Sequence, residues 1–152
     1  MRAIARALRP VALDQIGLTK SLEWIVEQLG EGSATKFSTE LDTIDGLLAP
    51  ELEMTLFRII QEGLTNITRH AQAKQVILEV KRETAALRVS LWDDGCGFDV
   101  EKLRQEPEAR RGLGLTGMDK RVKYLGGSLE FQSTPGHGTR ITVRVPLPQI
   151  KV

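Results

Sequence analysis

Three groups of residues have types and spacings that could do chemistry. Glu62 and Asn66 lie four residues apart, one helical turn, and project from the same face of any helix that contains them. An Asn oxygen is a hard donor suited to Mg²⁺, an ion that keeps several waters and leans on phosphate oxygens. Glu62 could orient a metal-bound water or take a proton. The second group is Asp94-Gly95-Cys96-Gly97, directly after an apolar alternating stretch. Two glycines two apart let the backbone turn tightly and let a flat ligand approach. Asp94 supplies a carboxylate acceptor that could take a hydrogen bond from an exocyclic amine. The third is Gly112-Leu113-Gly114, at the opening of a helical pattern. Backbone amides and the helix dipole favour anions at such a start. Each group has a plainer reading: a solvated helix face, a tight turn, a hinge. No Gly-x-x-x-x-Gly-Lys-Ser/Thr is present. The Gly112, Gly114, Gly117 spacing follows a polar loop, which argues against a dinucleotide fingerprint.

The elements that must position these groups are legible. Residues 50–71 read as a helix, opened by Pro50 and by Glu51 and Glu53 at the positive end of the dipole. Phe57, Ile60, Leu64, Ile67 and Ala71 form its apolar stripe. Glu62, Asn66 and Arg69 lie opposite, with His70 beside them. Upstream, Leu18, Leu22, Ile25, Val26 and Leu29 predict a helix stopped by Gly30 and Gly32. Residues 8–17 read as irregular, broken by Pro10 and Gly17, and residues 35–41 as an edge strand. Val76, Leu78, Val80 and Leu87, Val89, Leu91 predict a hairpin through the polar link 83–86. Residues 100–111 read as a charged, mobile loop. Leu115, Met118, Val122 and Leu125 give a second helix its inner face, with Gly126-Gly127 ending it. Two last strands, one with Leu129 and Phe131 and one with Ile141, Val143 and Val145, flank the turn Pro135-Gly136-His137-Gly138. Short hairpin links and clear alternation predict a mixed, mostly antiparallel sheet with one buried face. The expected fold is α+β, a two-layer α/β sandwich with that sheet packed under helices.

Length and composition are compatible with this. The chain has 152 residues, 41% hydrophobic and 27% charged, enough for one folded core. The net charge of +1 gives no basic footprint, so nucleic acid is not expected as a partner. The single cysteine, Cys96, excludes an internal disulfide and favours a reducing compartment. Two histidines and one cysteine are too few for a Cys/His zinc site.

The order of the motifs carries a resemblance. Residues 56–71, with Glu62, Asn66 and Arg69-His70-Ala71, resemble the N box of bacterial sensor histidine kinases. Residues 89–98 resemble their G1 box, Gly112-Leu113-Gly114-Leu115 their G2 box, and residues 133–139 the glycine turn before the last strand. The subtype looks like the nitrate/nitrite-sensor class, whose dimerisation region ends much like Leu8-Arg9-Pro10 with Leu13-Asp14-Gln15-Ile16-Gly17-Leu18.

The resemblance implies the Bergerat ATP-binding fold shared with gyrase B, the MutL mismatch-repair proteins and the ninety-kilodalton heat-shock chaperones. It implies that Asp94 accepts from the adenine amino group, with Gly95 and Gly97 shaping the adenine floor. It implies that Asn66 ligates Mg²⁺, assisted by Glu62, and that Arg69 and His70 lie near the phosphates. Gly112, Leu113, Gly114 and Leu115 would cradle phosphate in the lid, and Thr139 would support the adenine end. It divides the chain into 1–30, a remnant of the dimerisation and phosphoacceptor region, and 31–152, the catalytic domain. The implied activity is transfer of the γ-phosphoryl of Mg·ATP to a histidine on a dimerisation helix.

Of the two histidines, His70 falls in the N box and His137 in a turn, so the acceptor helix is not within these residues. The chain therefore reads as a piece of a longer kinase, inactive alone in autophosphorylation. The implied partners are ATP or ADP, the acceptor helix of the full-length protein, a response regulator and a second copy through the upstream helices. The implied location is cytoplasmic, with the full-length protein anchored in the inner membrane. An anti-sigma-factor-type serine kinase and a nucleotide-gated binding module of the same fold are the alternatives.

Overall fold

The computed structural model describes residues 2–105 and 115–148, with side chains at 2–14, 103–104 and 115–116 left aside. The described elements run α1 (Arg2–Gly30), β1 (Lys36–Leu41), α2 (Pro50–His70), β2 (Gln75–Arg82), β3 (Ala86–Asp93), α3 (Val100–Gln105), α4 (Leu115–Tyr124), β4 (Ser128–Ser133) and β5 (Thr139–Pro146). The five strands form one sheet in the order β1-β2-β3-β5-β4. Only β1 and β2 pair in parallel, as expected for strands joined by a long helical crossover. The other three pairs are antiparallel.

Alternation explains the order. β5 buries Thr139, Ile141, Val143 and Val145, so it needs neighbours on both sides. β1 and β4 alternate only between half-buried and exposed residues, which suits the two edges. Strand register puts Val76, Leu91 and Val89 on the same covered face as Ile141 and Val143.

Helix α2 is the spine of the second layer. It buries Leu56, Phe57, Ile59, Ile60, Gly63, Leu64 and Ile67. Truncating a fully buried aromatic such as Phe57 to Ala typically costs about 3–5 kcal/mol. Met118, Val122 and Leu125, on α4 and just after it, complete the core beside α2. The α+β two-layer architecture expected from the sequence is the one observed.

Two local expectations change. Residues 8–16 are helical, not irregular. Pro10 costs that stretch one backbone hydrogen bond because it has no N–H. What breaks α1 is Gly17, at φ 83 and ψ 171, a conformation open essentially to glycine. Asp45 lies against Gly17, and its Oδ1 accepts the Thr19 N–H at 2.9 Å, restarting the helix. Second, the start of the expected loop 100–111 is the short helix α3, capped where the Asp99 side chain accepts the Lys102 N–H at 3.1 Å. The upstream segment expected over 1–30 contributes side chains to the core. Leu18, Leu22, Ile25 and Val26 are all buried in the same hydrophobic cluster as α2 and the sheet.

Candidate functional site

A cleft of ≈ 120 Å³ opens between the C-terminal half of α2 and the ends of β3, β4 and β5. A cavity of roughly 150 Å³ holds benzene, so this smaller cleft takes part of a flat ring system and leaves the rest outside. From α2 and its C-cap it is lined by Asn66, Ile67, His70 and Ala71. The strand ends supply Asp93, Phe131, Thr139 and Ile141, and the segment after β3 supplies Cys96, Gly97 and Phe98. The walls are largely apolar, and Asp93 and Thr139, register partners on β3 and β5, form a polar end.

Local chemistry builds that end. Asp93 closes β3 on the same face as Leu87, Val89 and Leu91, and it is 1% exposed. Its Oδ1 accepts the Gly95 N–H at 2.8 Å. Burial raises the Asp93 pKa, opposed by the Gly95 hydrogen bond and reinforced by the charge of Asp94. A carboxylate kept this dry is costly unless a ligand donor completes its hydrogen bonding.

The turn after Asp93 is stitched on three sides. Cys96 N–H donates to the Ala71 carbonyl at 2.7 Å, and Gly136 N–H donates to the Cys96 carbonyl at 2.6 Å. The Cys96 thiol donates to the His70 carbonyl at 3.2 Å. Gly95 and Gly97 make this possible. A Cβ on Gly95 would run into the Ala71 carbonyl. Gly97 has φ 63, and a Cβ there would strike the carbonyl oxygen of Thr134. On the far side, the Ser133 hydroxyl accepts the Phe98 N–H at 2.8 Å and lies 2.8 Å from the Thr139 hydroxyl.

Of the residues expected at the site, Asn66, His70, Gly97 and Thr139 line the cleft together. Glu62 is half-buried one turn before Asn66, Arg69 is exposed, and neither lines it. Gly95 is buried behind the turn. Gly112, Leu113 and Gly114 lie outside the described residues, and Leu115 is placed only as the first residue of α4.

Asp94 requires a correction. Its side chain is exposed, and its Oδ1 accepts the N–H groups of Lys74 at 2.8 Å and Gln75 at 2.9 Å. The hydrogen bond from Gln75, with that from Lys74, lowers its pKa. Asp94 ties the entry of β2 to the turn, while Asp93 faces the cleft. Two signals in the sequence point to Asp93. It continues the two-residue alternation of β3, and only Asp93-x-Gly95-x-Gly97 spaces an acid and two glycines evenly. The apolar lining from Phe98, Phe131 and Ile141 was not foreseen as site, because apolar residues read as core.

Similarity to known proteins bears on the family and the fold. Residues 51–149 match the family model described as histidine kinase-, DNA gyrase B- and HSP90-like ATPase. An uncharacterized sensor-like histidine kinase of Chloroflexus aurantiacus is 35% identical over 152 residues, covering 97% of this chain and 25% of that protein. The signal transduction histidine-protein kinase/phosphatase DegS of Bacillus subtilis is 32% identical over 142 residues, covering 91% of this chain and 36% of DegS. The sensor histidine kinase LiaS of the same organism is 33% identical, covering 97% and 39% respectively. The chain thus spans between a quarter and two-fifths of these relatives. Among solved structures, the histidine kinase domain of the Erythrobacter litoralis EL346 blue-light activated histidine kinase has the same fold. Its TM-score is 0.71 at 24% identity, covering 86% of this chain and 61% of that one. With most of its length matched by the family model and its cleft at the strand ends beside α2, the chain belongs to the histidine kinase-, DNA gyrase B- and HSP90-like ATPase family.

Proposed function

We propose that the chain is the ATP-binding catalytic part of a two-component sensor histidine kinase. In this reading it directs the γ-phosphoryl of Mg·ATP to a histidine on a dimerisation helix outside these 152 residues. The observation that carries it is the buried Asp93 carboxylate at the polar end of an apolar cleft. Asp93 accepts from the adenine amino group, Phe98, Phe131 and Ile141 sandwich the base, and Gly97 leaves the floor open. Thr139 supports the adenine end. The base then points its ribose and phosphates past Asn66 and His70, with Arg69 and Glu62 further along α2.

Among the described residues no cluster of three His, Cys, Asp or Glu side chains could cage a metal alone. Mg²⁺ held by phosphate oxygens with one or two side-chain donors fits this better than an all-protein cage. Asn66 is the donor in that role, with Glu62 assisting. Bound there, Mg²⁺ neutralises phosphate charge, and catalysis consists mostly of positioning and electrostatics. Gly112, Leu113, Gly114 and Leu115 complete the phosphate side in this reading.

Residues 1–30 carry the end of a dimerisation and phosphoacceptor region in this reading, and residues 31–152 are the catalytic domain. The partners that follow are that region's histidine helix, a second copy through it, and a response regulator. No helix among the described residues is long and apolar enough to cross a membrane. A cytoplasmic domain of a membrane-anchored kinase is the arrangement we propose.

Incubation with γ-labelled ATP tests the reading. The chain alone binds nucleotide but carries no label on His70 or His137, since tethering supplies much of such a rate. Adding the upstream helix restores an acid-labile phosphoramidate. Label on His70 or His137 of the isolated chain, or acid-stable label on a serine of an added partner, overturns it. Asn66→Asp shifts the magnesium dependence of binding, and an unchanged dependence removes the metal role.

A further inference from the structure

Ser133 is the last residue of β4 and does not line the cleft. Its hydroxyl nevertheless touches three groups that build it. Oγ lies 2.8 Å from the Phe98 nitrogen, 3.1 Å from the Gly138 carbonyl oxygen and 2.8 Å from Thr139 Oγ1. A hydroxyl has one proton to give and two lone pairs to receive. The Phe98 N–H can only donate, so it occupies one lone pair. The Gly138 carbonyl can only accept, so it takes the Ser133 proton. One lone pair remains, and Thr139 must donate into it. All three partners are satisfied by this proton order and by no other.

We propose that Ser133 is a positioning residue that sets base specificity, by holding the Thr139 hydroxyl as an acceptor toward the cleft. The inference rests on the ATP reading above. With its proton committed to Ser133, Thr139 turns only lone pairs to a ligand. Asp93 is its register partner on β3, on the same face of the sheet. With Asp93 Oδ1 committed to Gly95, the ionised carboxylate also offers the ligand acceptors only. The polar end of the cleft therefore presents two acceptors side by side. A 6-amino purine brings a donor to it. A 6-oxo purine puts an acceptor at that position and moves its donor to N1, so the 6-position meets the two acceptors with repulsion and the base is disfavoured.

Removing Ser133 releases the Thr139 proton, which can then turn to the cleft and donate to a 6-oxo group. The test is calorimetric titration of the whole chain with Mg·ATP and Mg·ITP, read as the ratio of the two dissociation constants. Ser133→Ala should lower the ITP-to-ATP ratio about fivefold, the worth of one neutral hydrogen bond. Ser133→Thr, which keeps a hydroxyl, should restore it. Thr139→Val keeps the shape but removes the hydroxyl, and should lower the ratio independently. In that background Ser133→Ala should change the ratio no further. A general loosening of the cleft weakens both nucleotides together and leaves the ratio alone. A ratio unchanged in both Ser133→Ala and Thr139→Val, with ATP still bound by the wild type, overturns the proposal. Failure of the wild type to bind ATP instead overturns the ATP reading, and this inference with it.

Discussion

Asp93→Asn should separate the site from the fold. The carboxylate has its Oδ1 committed to the Gly95 N–H and its remaining lone pairs available to a ligand donor. Asparagine can keep the Gly95 bond through its amide oxygen. It then places an NH₂ where the second carboxylate oxygen stood, and two donors face each other when a 6-amino purine binds. The lost interaction is a hydrogen bond to a charged, buried acceptor, worth about 1.5–3 kcal/mol, or roughly 10- to 150-fold in affinity. The fold should not suffer. Burial and the nearby charge of Asp94 both disfavour the Asp93 carboxylate in the folded state, and the neutral amide escapes both. Titration calorimetry with Mg·ATP and thermal unfolding at neutral pH read the two effects separately. Expected are weakened binding and a midpoint at or above the wild-type value. Asp94→Asn is the matched control, because its amide oxygen still accepts from Lys74 and Gln75 and its side chain lies outside the cleft. An Asp93→Asn protein binding ATP within twofold of wild type refutes the reasoning, as does an Asp94→Asn protein with the larger loss.

Lowering the pH protonates Asp93 and should weaken ATP binding as the pH falls through its raised folded value, the upper end of a window that reaches down to its ordinary value of 3.8. In that window the folded state holds more protons than the unfolded one, so stability falls as pH rises. The Asp93 penalty is therefore complete above the folded value, and the stability gap between Asp93→Asn and wild type should narrow on acidification in denaturant titrations. Gly97→Ala should cost at least about 1–2 kcal/mol for its left-handed backbone alone, and its Cβ would collide with the Thr134 carbonyl. A denaturation midpoint equal to wild type would count against that geometry. Gly17→Ala should destabilise by about 1–3 kcal/mol, since φ 83 with ψ 171 suits glycine and its new Cβ would meet Asp45. Urea unfolding measures this, and a neutral result would place the break in α1 elsewhere.

Much of the protein follows from the sequence by itself. Period-two alternation fixes which residues of β2, β3 and β5 face the core, and the stripe on α2 fixes its inner side. These are short-range properties, set by the geometry of a strand or helix and by what water excludes. Asn66, His70, Gly97 and Thr139 could be named as candidates from the order of their motifs, and they line one cleft. Other features needed the third dimension. Leu18, Leu22, Ile25 and Val26 predict a helix, but nothing local says that the helix packs into the core of the domain that follows. Asp93 and Asp94 are adjacent carboxylates with the same chemistry. Which one faces the cleft depends on the partners each meets, Lys74 and Gln75 for Asp94 and the cleft lining for Asp93. Ser133 reads as an ordinary edge-strand serine until β5 brings Thr139 beside it and the turn after β3 brings Phe98. Period and propensity are written residue by residue, whereas the partner of a polar group is chosen by parts of the chain far apart in sequence. Only the assembled sheet and helix layer makes that choice, because only there must every buried donor and acceptor be matched.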